Sequence, residues 1–240
     1  MPHIITGKMM LIDSSICMAC KGCQVSCKAW HQLPAEDTSF IGSYQNPPDL
    51  SGITYTMLRF NEVAGLTALK YLEWLFFKDQ CRHCVVPKCR THCPVPGAIV
   101  VEPSGAVVFT DECDPNICVT RPCESRCPYD VPRLNEDENK EKKCDFCYDR
   151  IADGKAPTCV TTCPSEAITF GNAAYIQSLA NARLAELLAK YPNAKIYPDG
   201  AMGGGGPKGG GGAGTHVIWL LIDDPSAYGI TSGGGGGMRP

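Results

Sequence analysis

Apolar residues in this chain arrive in short bursts broken by turn-forming residues, and most bursts are strand-length. Lys8–Asp13 (KMMLID) predicts a strand, and so does AITF at residues 167–170. Ala98–Thr110 (AIVVEPSGAVVFT) predicts two strands around a Pro-Ser-Gly turn. The two most continuous apolar runs, Tyr71–Phe77 (YLEWLFF) and His216–Ile222 (HVIWLLI), predict core strands. Only one stretch has a convincing helical period. Ile176, Leu179, Ala180, Leu184, Leu187 and Leu188 form a stripe, with Asn172 as a candidate N-cap and a stop before Pro192. A helix packed on a core is what this stripe predicts.

What interrupts the apolar pattern is cysteine. The 240 residues contain 16 cysteines, and all of them fall into four groups of four. The first group is Cys17, Cys20, Cys23 and Cys27, and the second is Cys81, Cys84, Cys89 and Cys93. The third is Cys113, Cys118, Cys123 and Cys127, and the fourth is Cys144, Cys147, Cys159 and Cys163. Every group ends C-x3-C, and the last three add a proline immediately after. The cysteine group is therefore an internal repeat.

A chain this long builds a core without disulfide staples, so the thiols are read first as ligands. Zinc takes four thiolates, usually from two separated C-x2-C knuckles, and the fourth group could be read that way. The first group, C-x2-C-x2-C-x3-C, instead follows the bacterial ferredoxin pattern. There, three cysteines wrap one iron–sulfur cube and the fourth reaches the neighbouring cube. Four such groups predict four [4Fe-4S] clusters in two pairs. Spacing alone does not say which groups pair.

The formal net charge is −3, with no basic excess that would suit nucleic acid. Ionising the thiols and adding four cubes takes it to about −11. Lys21, Lys28, Arg82, Lys88, Arg121, Arg126, Lys142 and Lys143 flank the cysteines and are candidate counter-charges. His31, His83, His92 and His216 are read as surface or supporting groups, because the cysteines already complete each ligand set. No nucleophile–base or acid–base arrangement stands out, so no catalytic residue is assigned. No apolar run approaches the ~20 residues of a spanning helix. The first residues lack the pattern of a secretory leader. Two glycine runs, Gly203–Gly212 and Gly233–Gly237, read as loose loops.

With these motifs in view, the chain resembles the iron–sulfur (beta) subunit of molybdenum- or tungsten-dependent formate dehydrogenases. The cysteine pattern alone would indicate the wider group of four-cluster electron-transfer subunits, which also serve dimethyl sulfoxide, polysulfide, tetrathionate and nitrite reductases. The narrower match rests on CMACKGCQVSCKAWH (Cys17–His31), YQNPPDLSGITYTMLRFNE (Tyr44–Glu62) and EWLFFKDQCRHC (Glu73–Cys84). It also rests on CPYDVPRLN (Cys127–Asn135), the segment Lys143–Gly171 and GTHVIWLL (Gly214–Leu221). Tyr44–Glu62 is the most telling segment, since no ligand chemistry dictates it.

The resemblance implies an α+β fold of two ferredoxin-like subdomains with short strands, little core and clusters in place of apolar burial. Residues 1–78 and 134–200 would form the first, residues 79–133 an inserted second, and residues 201–240 a Gly-rich extension with one strand. It implies four quartets of iron ligands. The first would be Cys17, Cys20, Cys23 and Cys163, and the second Cys27, Cys144, Cys147 and Cys159. The third would be Cys81, Cys84, Cys89 and Cys127, and the fourth Cys93, Cys113, Cys118 and Cys123. The third cysteine group departs from the family, because its spacing is C-x4-C-x4-C-x3-C and some soluble relatives have lost that cluster.

The implied role is a non-catalytic redox subunit in anaerobic respiration. It would relay electrons between a large Mo/W-bis-pterin catalytic subunit and a cytochrome, ferredoxin or other acceptor. Membrane-bound relatives carry a C-terminal spanning helix, which this sequence does not show. The expected location is the periplasm, reached by co-export with the catalytic subunit, with the cytoplasm as the alternative. The competing readings are the electron-transfer subunit of another molybdopterin oxidoreductase and a zinc-stabilised interaction module.

Overall fold

The computed structural model describes residues 5–64, 72–198 and 214–230; both glycine runs and Tyr71 lie outside them. In chain order the elements begin with β1 (Lys8–Asp13), α1 (Gly22–Trp30), β2 (Met57–Ala64) and β3 (Leu72–Asp79). Next come α2 (Lys88–Thr91), β4 (Ile99–Val101), β5 (Val107–Phe109) and α3 (Pro122–Ser125). β6 (Arg133–Asn135), β7 (Lys140–Lys142), α4 (Tyr148–Ala152) and α5 (Thr158–Thr161) follow. The remainder is β8 (Ile168–Asn172), α6 (Ala173–Leu188), β9 (Lys195–Tyr197), β10 (Val217–Leu221) and a 3-10 turn, Pro225–Tyr228. This is a mixed α/β chain.

Four strands form the main sheet in the order β8-β1-β10-β9. β1 runs antiparallel to β8 and parallel to β10. β10 thus lies inside the sheet, although it comes from the C-terminal segment. All five of its residues, Val217 to Leu221, are fully buried, as a continuous apolar run requires of a strand covered on both faces. Ile176, Ala180 and Leu187 of α6 are buried in the same core, while Leu188 is exposed. Asn172 occupies the N-cap position, but its side chain accepts from Lys8 Nζ at 2.9 Å and makes no capping bond.

The core is larger than expected. One apolar cluster joins the main sheet, α6, β3 and parts of the cysteine loops. Fully buried Trp219 stacks on Phe77 of β3 at 5.1 Å, and its indole N–H donates to the Lys78 carbonyl at 3.0 Å. The run Tyr71–Phe77 is only half a core strand. Leu75 and Phe77 are buried, whereas Leu72 and Trp74 face outward. β3 pairs with β2 in a hairpin, and two smaller hairpins, β4–β5 and β6–β7, complete the set. β2, β6, β7 and β9 carry mixed or charged sequences, which hide strands from a reading based on apolar runs.

The segment Tyr44–Glu62 now has a physical explanation. It lies across α1, where Lys21 donates to the Tyr44 carbonyl at 2.5 Å and Gln24 to the Asn46 carbonyl at 3.0 Å. Lys28 donates to the Ile53 carbonyl at 2.8 Å. Asp49 takes Arg59 at 2.7 Å and Arg133 at 3.1 Å, tying the segment to β6. Gly52 approaches β6 so closely that a Cβ there would sit 2.4 Å from the Leu134 oxygen.

Candidate metal centres

The cysteine loops share a local device. The residue just before the second cysteine is left-handed in three groups: Ala19 (φ 55°), His83 (φ 48°) and Phe146 (φ 68°). Non-glycine residues adopt this region at a cost, and here the turn folds the two thiols of each C-x2-C toward one side. Backbone amides then point at sulfur, with Gly22 N–H donating to Cys20 Sγ at 3.5 Å and His83 N–H to Cys81 Sγ at 3.4 Å. In the third group, Asp114 caps the Asn116 amide at 2.9 Å in place of that turn. Arg121 (φ 40°) nevertheless stands two residues before the third cysteine, as Lys21 (φ 60°) does in the first group.

The C-x3-C step is helical in origin. In α1, α2, α3 and α5 the third cysteine of each group sits in the helix, and the fourth comes one turn later. Residues i and i+4 share a face but lie ~6 Å apart along the axis. One short helix therefore offers thiols to two neighbouring sites. α1 packs on α5, and α2 on α3, which pairs the first group with the fourth and the second with the third.

The cysteines gather in sets drawn from more than one group. Cys27, Cys144, Cys147 and Cys159 line one small space. Cys81, Cys84, Cys89 and Cys127 line another. Cys93, Cys113, Cys118 and Cys123 line a third, so the longer spacings of the third group still bring its thiols together with Cys93. Around Cys17 the charge neighbours are Cys163 and Cys20, and around Cys23 they include Cys17 and Cys20. The fourth group makes no quartet of its own, because Cys163 leaves its three companions. A two-knuckle zinc site built from that group alone has no counterpart here.

The quartets stand in a row. Cys23 of the first has Cys159 of the second as a charge neighbour. Cys144 of the second has Cys81 of the third, and Cys123 of the fourth has Cys89 of the third. Burial raises many of these thiols, Cys23, Cys89 and Cys147 each to about 12. Holding them as thiolates at neutral pH requires positive charge at the centre of each cavity, as iron provides. The donor sets fit such a group: four thiols line each of three spaces, and amides donate to sulfur at Cys20 and Cys81.

Of the candidate counter-charges, Arg82 and Lys143 are buried, while Arg126 is exposed and the others lie between. Lys78, which sequence reasoning missed, is buried as well and lines the space of the second quartet. It stands three residues before Cys81 inside an apolar strand, where a lone lysine reads as an edge residue. Arg82 bonds Asp79 at 2.5 Å within a cage of Phe77, Tyr129, Tyr197 and Trp219. His83 and His216 are interior rather than surface groups. His83 Nδ1 accepts from the Val107 amide at 2.9 Å and its ring stacks on Phe146, while the His216 ring reaches the His83 carbonyl at 2.9 Å. Backbone bonds from His216 and Val217 to His83 and Arg82 hold the Cys81–Cys84 turn against the start of β10. His92 is exposed, and His31 lies 3.4 Å from Asp145.

Thiols collected in fours, with helices bridging adjacent sets, mark an iron–sulfur protein, and residues 72–173 match the 4Fe-4S dicluster domain family. Over 234 residues the chain is 40% identical to the formate dehydrogenase subunit beta of Megalodesulfovibrio gigas, covering 92% of this chain and 97% of the relative. It is 40% identical over 222 residues to the formate dehydrogenase-O iron-sulfur subunit of Escherichia coli, covering 91% and 68%. With formate dehydrogenase 2 subunit beta (cytochrome c-553) of Nitratidesulfovibrio vulgaris it shares 40% identity over 197 residues, covering 79% and 87%. The chain belongs to the family of formate dehydrogenase iron–sulfur (beta) subunits.

Proposed function

We propose that this chain is the electron-transfer subunit of a formate dehydrogenase, holding four [4Fe-4S] clusters in its four cysteine quartets and performing no bond chemistry on formate. Each cluster supplies a one-electron store when bound. The chain's part is to hold, space and shield these stores. The observation that carries this reading is the row of quartets joined by α1 and α5 at one junction and by α2 and α3 at another. Helix rise keeps paired sites close, and the charge of Cys81 reaching Cys144 links the two pairs.

Two ferredoxin-like halves follow from this pairing. Residues 1–78 with 134–200 carry the first and second quartets, and residues 79–133 carry the third and fourth. Both ends of the row present exposed apolar side chains on their cysteine loops, Met18 at one end and Ile117 and Val119 at the other. Such residues suit docking partners at each end. The expected partners are a large Mo/W-bis-pterin catalytic subunit and an acceptor. The N. vulgaris relative is named for cytochrome c-553, which favours a cytochrome. No helix among the described residues is long and apolar enough to cross a membrane. The location in this reading is the periplasm, reached together with the catalytic subunit; it rests on the family resemblance.

Anaerobic preparation should yield about sixteen irons and as many labile sulfides per chain, with reduced-cluster resonance signals. In complex with its catalytic partner, formate should produce those signals, and dimethyl sulfoxide or tetrathionate should not discharge them. A colourless chain carrying several zinc ions would overturn the reading.

A further inference from the structure

We propose that two buried lysines, Lys78 and Lys143, flank the second quartet and make the site of Cys27, Cys144, Cys147 and Cys159 the highest-potential position in the row. This rests on the electron-transfer reading above and adds an order of potentials to it. Lys78 is 2% exposed and lines the second quartet's space. Its nearest thiol charges are Cys159, Cys23, Cys144 and Cys27, three of them from that quartet. Lys143 is 5% exposed, lines the third quartet's space and faces Cys81, Cys89 and Cys144. One lysine therefore stands between the first and second sites, and the other between the second and third.

Their hydrogen bonds keep both ammonium groups in place. Lys78 Nζ donates to Gln80 Oε1, and Lys143 Nζ donates to the Val107 carbonyl and to the Cys144 carbonyl, the latter at 3.1 Å. Among the described residues, neither lysine forms a salt bridge with a carboxylate, although the charge of Asp145 also acts on Lys143. The other charges do not restore equality. Asp145 acts on the second quartet, but it lies partly in solvent and beside His31 at 3.4 Å. Arg82 acts on the third quartet, and Asp79 holds it at 2.5 Å. The fourth quartet faces Glu141, whose carboxyl burial pushes up to about 8, with Arg121 at 3.8 Å.

A buried cation favours the state that carries one more electron, and it acts more strongly where water is excluded. Counting buried cations without a salt-bridge partner, the second site has two and the first and third have one each, because Arg82 at the third is paired with Asp79. An electron arriving from either end is thus drawn to the second position.

The test is an anaerobic redox titration of the full chain with its clusters assembled, followed by electron paramagnetic resonance, on wild type, Lys78→Met and Lys143→Met. The same site, the highest in wild type, should become harder to reduce in both variants by tenfold or more in its equilibrium constant, about 59 mV for one electron. One further site should shift with Lys78→Met, and a different one with Lys143→Met. Lys78→Arg and Lys143→Arg, which keep the charge, should stay near wild type. If a methionine variant loads too little iron, the arginine variant decides: a tenfold fall there overturns the inference. So do methionine variants with full iron and unchanged potentials. Absence of reduced-cluster signals in wild type would instead overturn the electron-transfer reading itself.

Discussion

Replacing Asp79 by alanine tests the charged framework beneath the second cysteine group. Asp79 is 1% exposed and holds two guanidinium groups, Arg59 at 2.7 Å and Arg82 at 2.5 Å. Arg59 keeps a second carboxylate, Asp49, also at 2.7 Å, so its charge survives the change. Arg82 has no such reserve. It is fully buried, its Nε and Nη2 have no hydrogen-bond partner, and only the Gln80 carbonyl and the aromatic cage remain. Stranding one buried charge costs 3–5 kcal/mol in general, and the aromatic faces place this case near the lower figure, about 3 kcal/mol. Because Arg82 lies between Cys81 and Cys84, the loss should appear as faster release of iron. The assay is the rate at which visible absorbance bleaches in guanidinium, since cluster loss is irreversible and a rate is then the proper quantity. About 3 kcal/mol corresponds to a rate increase of roughly 150-fold if fully expressed in unfolding. Asp79→Asn, which keeps part of the bonding, should fall between. A bleaching rate for Asp79→Ala within threefold of wild type would refute the claim that Arg82 depends on this carboxylate.

Other substitutions probe separate features. Gly52→Ala would place a methyl group 2.4 Å from β6 backbone, so the segment over α1 must shift. A loss of at least about 2 kcal/mol is expected, read as a lower thermal bleaching midpoint. Cys123→Ala should remove about four irons per chain and one set of resonance signals while the other three quartets stay loaded. Burial pushes the Asp49 carboxyl up, but the hydrogen bond and charge of Arg59, with Arg133 behind, outweigh it and hold the group below its usual range. Asp49 therefore stabilises the fold above about pH 4, the unfolded carboxylate value, and loses that contribution as pH falls through its folded value. Asp49→Asn should be less stable than wild type by about 1 kcal/mol at pH 7, with the gap closing below pH ~4 in acid bleaching curves.

Local chemistry was legible in the chain itself. The grouping of sixteen cysteines, the C-x3-C step, the apolar runs of β1 and β10 and the single amphipathic helix all follow from spacing over a few residues. Such spacing is set by backbone geometry, which neighbours in sequence cannot escape. Which thiols meet is another matter. Cys163 joins Cys17 across 146 residues, and nothing near either one names the other. The packing of α1 on α5 and of α2 on α3 decides that, because each short helix carries cysteines for two sites. The burial of Lys78 was invisible for the same reason: its surroundings are thiols from α1, α5 and the Cys144 loop, brought together only in the fold. The place of β10 inside the main sheet, clamping the Cys81–Cys84 turn, was equally undetermined by its own sequence. An apolar run demands burial on both faces, but only the completed sheet selects the neighbours that supply it.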